Sequence, residues 1–203
     1  MPYLMKPLGC DPKNVKGMSE KLIVSHYENN YGGAVKRLNL ITEQLAGVDF
    51  NTAPNYLING LKREELIASN SMILHELFFN GLGEESAPGK DLAAALTRDF
   101  GSVERWRGEF IAMGKALGGG SGWVLLCWSP RDRRLVNQWA ADHCHTLAGG
   151  QAILALDMYE HSYHIDYGAK AATYVDTFMT AIRWSNADKL LASYAEPRGS
   201  VHV

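Results

Sequence analysis

The sequence predicts an α+β protein, in which an N-terminal long α-hairpin precedes an α/β domain with a three-stranded antiparallel sheet. Apolar residues recur at helical spacing over residues 19–45 and 62–82, and a short loop at 47–54 separates the two stretches. Two shorter helical stretches follow, and apolar runs with the length of strands come after them. Helices first and strands later are typical of the α+β class.

The predicted hairpin domain covers residues 1–86. Its first helix, residues 19–45, contains no proline, and Gly32-Gly33 marks a point at which it can kink. The second helix, residues 62–82, carries a broad apolar surface. Because only a short loop joins them, the two helices are expected to pack antiparallel.

The second predicted domain covers residues 87–203. Helices are expected at about 90–98 and 102–116, the latter capped by Ser102, and a glycine-rich segment ends them. The predicted strands are residues 123–128, 135–140 and 152–156, and the tail at 160–191 is expected to be helical again.

Composition excludes several functions. The 203 residues include 20 Lys+Arg and 22 Asp+Glu, giving a net charge of -2, so a nucleic-acid or anionic-membrane partner is not expected. Neither a secretory signal nor a membrane span is visible, which predicts a cytoplasmic location. Cys10, Cys127 and Cys144 lack C-x-x-C spacing and fit reduced thiols.

The strongest chemical feature is the segment AILALDMYEH, residues 152–161. A buried strand ends at Asp157, and His161 follows four residues later, so both side chains can reach one ion. A carboxylate with an imidazole suits iron or manganese better than a soft metal. By itself the spacing is weak, since a capping aspartate beside a core histidine gives the same pattern.

Two further histidines lie on the predicted hairpin. His75 lies in the apolar stretch SMILHELFF, where burying an imidazole is costly unless both nitrogens find partners. His26 lies among polar neighbours in VSHYENNYGG. Taken singly, the first also fits a structural core residue and the second a surface residue.

Together, these segments resemble the iron/manganese superoxide dismutase family, over about residues 15–184. The matching segments are His26, His75-Glu76-Leu77-Phe78-Phe79, Gly120-Ser121-Gly122-Trp123 and Asp157-Met158-Tyr159-Glu160-His161. The resemblance implies an enzyme that converts superoxide to dioxygen and hydrogen peroxide. It also implies one iron or manganese ion per subunit, iron slightly favoured, with solvent as fifth ligand. The implied protein ligands are His26, His75, Asp157 and His161.

The resemblance further implies a residue that faces the metal-bound solvent. In many members this is a glutamine, either four residues before the second ligand or on the middle of the sheet. The first position is Ser71 here, which is too short. The second resembles His143, which is therefore the predicted catalytic residue, with His145 as the alternative.

The substrate gateway departs from the family pattern H-x-x-x-H-H-x-x-Y-V. Asn30, Tyr31 and Ala34 occupy the second His, third His and Tyr positions. Asn30 and Tyr31 are grouped with His143 as candidate catalytic residues. Loss of the family tyrosine is expected to slow proton delivery rather than metal binding.

The positive substrate funnel of the family is thinner here. Asn29 and Ala171 stand where the family has lysine and arginine, and Lys170 is expected to substitute in part. A weaker funnel should lower the rate at which the superoxide anion associates.

The resemblance also implies a homodimer or a higher oligomer. In the family, the glutamate of the last ligand segment bonds the ligand histidine of the other subunit, and these residues are Glu160 and His161 here. Asn30 and His164 occupy a second cross-subunit pair. Trp123 and Tyr163 are the other residues predicted to surround the ligands or the interface.

Two functions of different class follow. An active dismutase is favoured by the four intact ligands. A weakly active or non-enzymatic metal-binding homologue with an interaction role is favoured by Asn30 and Ala34. A hydrolase that activates water has little support, because no unclaimed carboxylate is visible as a general base.

Overall fold

The computed structural model describes residues 1–84 and 86–195. Glu85 and residues 196–203, the end of the second predicted domain, lie outside the described residues. Helices come first and a three-stranded antiparallel sheet comes later, which confirms the predicted α+β class.

The first long helix consists of two α-helical parts joined by a π-helical segment. These are α1 (Glu20–Ser25), the π segment (His26–Tyr31) and α2 (Gly32–Ala46). Ser19 begins the helix, because its hydroxyl accepts the backbone N–H of Leu22 at 3.1 Å. The irregularity therefore precedes Gly32-Gly33, where the kink was predicted. Such π turns often mark functional positions.

The second long helix is α3 (Asn55–Asn80), which packs against α2 as the predicted hairpin. It begins seven residues before the predicted start at 62. Its first turns expose apolar residues, for Tyr56 is 80% and Leu57 41% exposed, so no buried stripe marks them. The predicted start was wrong for that reason.

Two short helices precede the sheet. They are α4 (Lys90–Phe100) and α5 (Val103–Ala116). Ser102 caps α5 as predicted, accepting the N–H of Arg105 at 3.0 Å.

The sheet has the order β2-β1-β3, with both pairs antiparallel. Its strands are β1 (Trp123–Ser129), β2 (Arg134–Ala140) and β3 (Gln151–Asp157). Trp123 is paired with Ala140 on one side and with Asp157 on the other. This register places the end of β3 beside the start of the buried central strand.

The tail is helical, as predicted, and it is divided into several short segments. It comprises a 3-10 turn (Glu160–Ser162), α6 (His164–Tyr167), α7 (Ala171–Phe178) and α8 (Trp184–Ala195). Gly168 has a φ of 53°, a left-handed conformation that ends α6.

Backbone hydrogen bonds join the end of the hairpin to the tail. Gly83 donates to the carbonyl of Ala181 at 2.9 Å, and Arg183 donates to that of Gly81 at 2.7 Å. The two predicted domains are therefore held together near their boundary, and the division at residues 86 and 87 stays a prediction.

None of the helices in residues 1–84 and 86–195 has the length and apolar character needed to cross a membrane.

Candidate metal centre

Four side chains meet where the helical hairpin packs on β3 and on the 3-10 turn after it. Each comes from a different element: the π segment, α3, the end of β3 and the 3-10 turn after it. The side chains are those of His26, His75, Asp157 and His161, and their potential ligand atoms all lie within 4.8 Å of one another. The structure thus brings together all four predicted ligands.

The Oδ2 atom of Asp157 lies at the centre of the cluster. It is 3.2 Å from Nε2 of His26, 3.6 Å from Nε2 of His75 and 3.2 Å from Nε2 of His161. Its other oxygen, Oδ1, accepts the backbone N–H of Tyr159 at 2.9 Å. One oxygen is thus fixed by backbone, and the other faces the three imidazoles.

Whether a metal ion fits this site can be judged from the buried histidine nitrogens that lack a hydrogen-bond partner. Among the described residues, both ring nitrogens of His26 and Nε2 of His75 are buried without a hydrogen-bond partner. Nδ1 of His75 donates to the carbonyl of Ser71 at 2.6 Å, which leaves a lone pair on Nε2. Unpaired buried polar atoms cost about 1–3 kcal/mol each, so a cation between them fits the donor set.

The charges of the cluster also suit a cation. Burial would raise the pKa of Asp157, but attraction to His161, a hydrogen bond from His161 and the nearby imidazole of His26 hold it well below its usual range. Burial lowers the pKa of His26, and burial together with repulsion from His26 lowers that of His75 to about 3. One anionic carboxylate together with imidazole nitrogens is a ligand set that iron and manganese accept.

Two hydroxyl groups hold the backbone of Asp157 in place. Tyr174 and Ser162 both donate to its carbonyl oxygen, each at 2.8 Å. Sequence reasoning missed both residues, because their spacing in α7 and the 3-10 turn indicates only burial.

His143 lies beside the cluster, and His145 does not. Nδ1 of His143 accepts the indole N–H of Trp123 at 2.9 Å. The His143 ring is stacked on that of Tyr159 at 4.8 Å and lies tilted at 6.1 Å from that of His75. His145 is half exposed and stacks on Trp139 instead. Of the two alternatives, only the first is placed to act at this site.

The hydroxyl of Tyr31 forms two hydrogen bonds, one of them with the N-terminal arm, the residues 1–15 that precede the first long helix. It donates to Oε1 of Glu76 at 3.0 Å and accepts the N–H of Lys6 at 2.8 Å. Burial raises the pKa of Tyr31 to about 12. Sequence reasoning missed this use of Glu76, although its position directly after His75 was a visible signal.

The other predicted residues lie at various depths around the cluster. Asn30 lines a cavity of about 230 Å³ next to Ala34. Trp123 and Tyr163 are buried, and the ring of Trp123 meets that of His75 at 5.3 Å. Exposed on the surface are Glu160, His164 and Lys170. Their roles at an interface or in a funnel stay predictions.

Fold and site together define a class: an α+β protein with a mononuclear centre of three histidines and one aspartate, between a helical hairpin and a small sheet. A model of the C-terminal domain of iron/manganese superoxide dismutases matches residues 88–190. The chain belongs to the iron/manganese superoxide dismutase family, as the sequence motifs predicted.

Curated relatives agree with this family. A superoxide dismutase [Fe] of Cupriavidus metallidurans is 70% identical over 187 residues, which cover 92% of this chain and 95% of the relative. A superoxide dismutase [Fe] of Aquifex pyrophilus is 33% identical, over 85% of this chain and 84% of the relative. A superoxide dismutase [Mn] 2 of Halobacterium salinarum is also 33% identical, over 87% and 86%.

Proposed function

We propose that this chain is a superoxide dismutase, which disproportionates superoxide at one iron or manganese ion. The observation that carries the proposal is the cluster of one carboxylate and three imidazoles, whose ligand atoms lie within 4.8 Å of one another. The proposed ligands are His26, His75, Asp157 and His161. The relative at 70% identity carries the [Fe] name, which supports iron as the metal.

The metal and the chain would contribute different parts of the reaction. When bound, iron or manganese supplies one-electron redox chemistry, through which two superoxide anions and two protons become dioxygen and hydrogen peroxide. The chain binds that ion, compensates one positive charge with Asp157 and keeps bulk water from the buried ligands.

His143 is proposed to hold and move a proton at this centre. Its Nδ1 accepts the indole N–H of Trp123, so in the neutral ring the proton lies on Nε2. Stacking on Tyr159 fixes the plane of the ring. The imidazole can thus donate and regain a proton at one defined atom.

Proton delivery through the altered gateway is the step expected to limit turnover. Ala34 is buried beside the cavity of about 230 Å³, which gives room for a larger side chain. Ala34→Tyr is expected to raise kcat about 3- to 10-fold, since a phenol there can join the proton path. The measurement is stopped-flow superoxide decay as a function of pH. Ala34→Phe fills the same space without a hydroxyl, so an equal gain from Phe would refute the proton argument.

We also propose an isologous homodimer, in which Glu160 of the partner subunit bonds Nδ1 of His161. Among the described residues the carboxylate of Glu160 forms no hydrogen bond or ion pair, and the His161 side chain is 25% exposed. Asn30 and His164 are the second proposed cross-subunit pair. A cytoplasmic location and the lack of a nucleic-acid partner stay predictions from composition.

Glu160→Ala is expected to weaken the dimer and, with it, metal affinity by about 10- to 100-fold, the usual effect of losing the partner of a ligand imidazole. Analytical ultracentrifugation and metal titration measure the two effects. Glu43→Ala, which removes an exposed carboxylate from α2, is the control. A wild-type protein that is monomeric yet fully metallated and active would contradict the coupling.

A further inference from the structure

The cavity of about 230 Å³ lies between the first long helix and α3. It is open because small side chains form its walls, among them Ala34 and Ser71. These are the positions at which the sequence lacks the tyrosine and the glutamine of other family members. The substitutions therefore leave space where the resemblance predicted a gateway.

The inner wall of the cavity touches the proposed centre. Ser71 lines the cavity, and its backbone carbonyl accepts the ring Nδ1–H of His75. His143 lines it as well, with its ring 6.1 Å from that of His75. A small ion inside the cavity would therefore be separated from the proposed ligand His75 only by Ser71, and it would lie beside His143, the proposed proton carrier.

Arg37 supplies the positive charge of this cavity. No other arginine or lysine and no carboxylate is among its lining residues in the part of the chain that the structure describes, and Asn29 and Asn30 add only neutral amides. The Arg37 side chain is 62% exposed, so its guanidinium faces water as well as the cavity. Such a charge attracts anions from solution.

The ion pair of Arg37 is loose. The distance from the Arg37 guanidinium to Oε2 of Glu64 is 3.8 Å, whereas the Arg63 guanidinium lies 2.9 Å from Oε1 of the same carboxylate. Exposed pairs of this kind contribute about 0–1 kcal/mol, so an incoming anion can compete with Glu64 for the guanidinium.

We propose that Arg37 attracts superoxide into this cavity and that the cavity is the anion's access route to the metal centre. The inference rests on the proposed dismutase function for its substrate. It assigns to Arg37 the steering role for which the sequence suggested Lys170, a residue that does not line this cavity. In this proposal Arg37 raises the rate at which the anion reaches the metal centre and does not donate a proton.

The test compares Arg37→Gln with Arg63→Gln. Both changes remove one exposed arginine that pairs with Glu64, and only the first removes a cavity residue. Arg37→Gln is expected to lower kcat/KM for superoxide about two- to fivefold at low ionic strength and to flatten its salt dependence, with kcat unchanged. Arg37→Lys should retain most of the rate, and Arg63→Gln should match wild type.

Azide binding to the iron-loaded protein, followed by visible absorption, provides a readout without turnover. Arg37→Gln is expected to weaken azide binding, and Arg63→Gln is not. Equal effects of the two glutamine variants, or no effect of Arg37→Gln on either readout, would overturn the inference. An iron protein without dismutase activity whose azide affinity still depends on Arg37 would refute the proposed function alone. A chain that takes up no iron would overturn both proposals.

Discussion

Replacing Asp157 with alanine is expected to abolish stoichiometric metal binding. Its Oδ2 faces all three imidazoles at 3.2–3.6 Å, so the change removes the only carboxylate of the cluster. A metal ion present at about 1,000 times its Kd stabilises the folded chain by about 4 kcal/mol. Losing that ion should therefore lower Tm by about 8–16 °C for a chain of this size. Metal analysis and calorimetry measure the two effects.

Two further variants separate metal loss from general damage. Asp176→Ala removes an exposed carboxylate that pairs with Lys115 at 2.8 Å, and it should keep both metal and Tm. Asp157→Asn preserves the shape of the side chain and should still lose most metal, because the negative charge is gone. An Asp157→Ala protein that holds a full equivalent of metal would disprove the ligand assignment.

Replacing His143 with alanine is expected to leave the metal bound and to lower kcat about 10- to 100-fold, with a changed reduction potential. The residue is not one of the four clustered ligands, but its ring lies 6.1 Å from that of His75, and we propose that it carries the movable proton. Stopped-flow superoxide decay, metal analysis and a redox titration of the same sample measure the three quantities.

His145→Ala is the matched control, since it removes an exposed imidazole two residues away that stacks on Trp139. It should behave as wild type. Because Trp123 loses its acceptor in His143→Ala, His143→Gln provides a second variant whose amide oxygen can accept that N–H. Full turnover in both His143 variants, or loss of metal in both, would contradict the assigned role.

The regular elements were largely predictable because burial imposes a period on the sequence. The all-apolar run from Trp123 to Trp128 became the fully buried central strand. The first turns of α3 were missed because Tyr56 and Leu57 are exposed, and helix without a buried face leaves no apolar period.

The π-helical segment could not be predicted from local spacing, since distant contacts accompany it. The Tyr27 hydroxyl donates to the carbonyl of Lys6 at 2.7 Å, and Tyr31 accepts the N–H of the same residue at 2.8 Å. The N-terminal arm thus binds both tyrosines of a segment that also contains His26. A helical period of 3.6 residues carries no information about such contacts.

The site was predictable only as a set. Local patterns left His75 open to a structural core role and His26 open to a surface role, and only the family resemblance grouped them with Asp157 and His161. The resemblance did not predict the cavity at Ala34 and Ser71. That cavity exists because this chain lacks the larger side chains that other family members have at these two positions. Arg37 gained a role only once that space was visible.

The most direct test of the proposed dismutase combines metal analysis with a dismutase assay of the iron-loaded and manganese-loaded proteins. We expect one equivalent of metal per chain and catalytic removal of superoxide by at least one of the two forms. Full metal occupancy without activity in either form would contradict this expectation, and would favour a metal-binding homologue that has lost turnover.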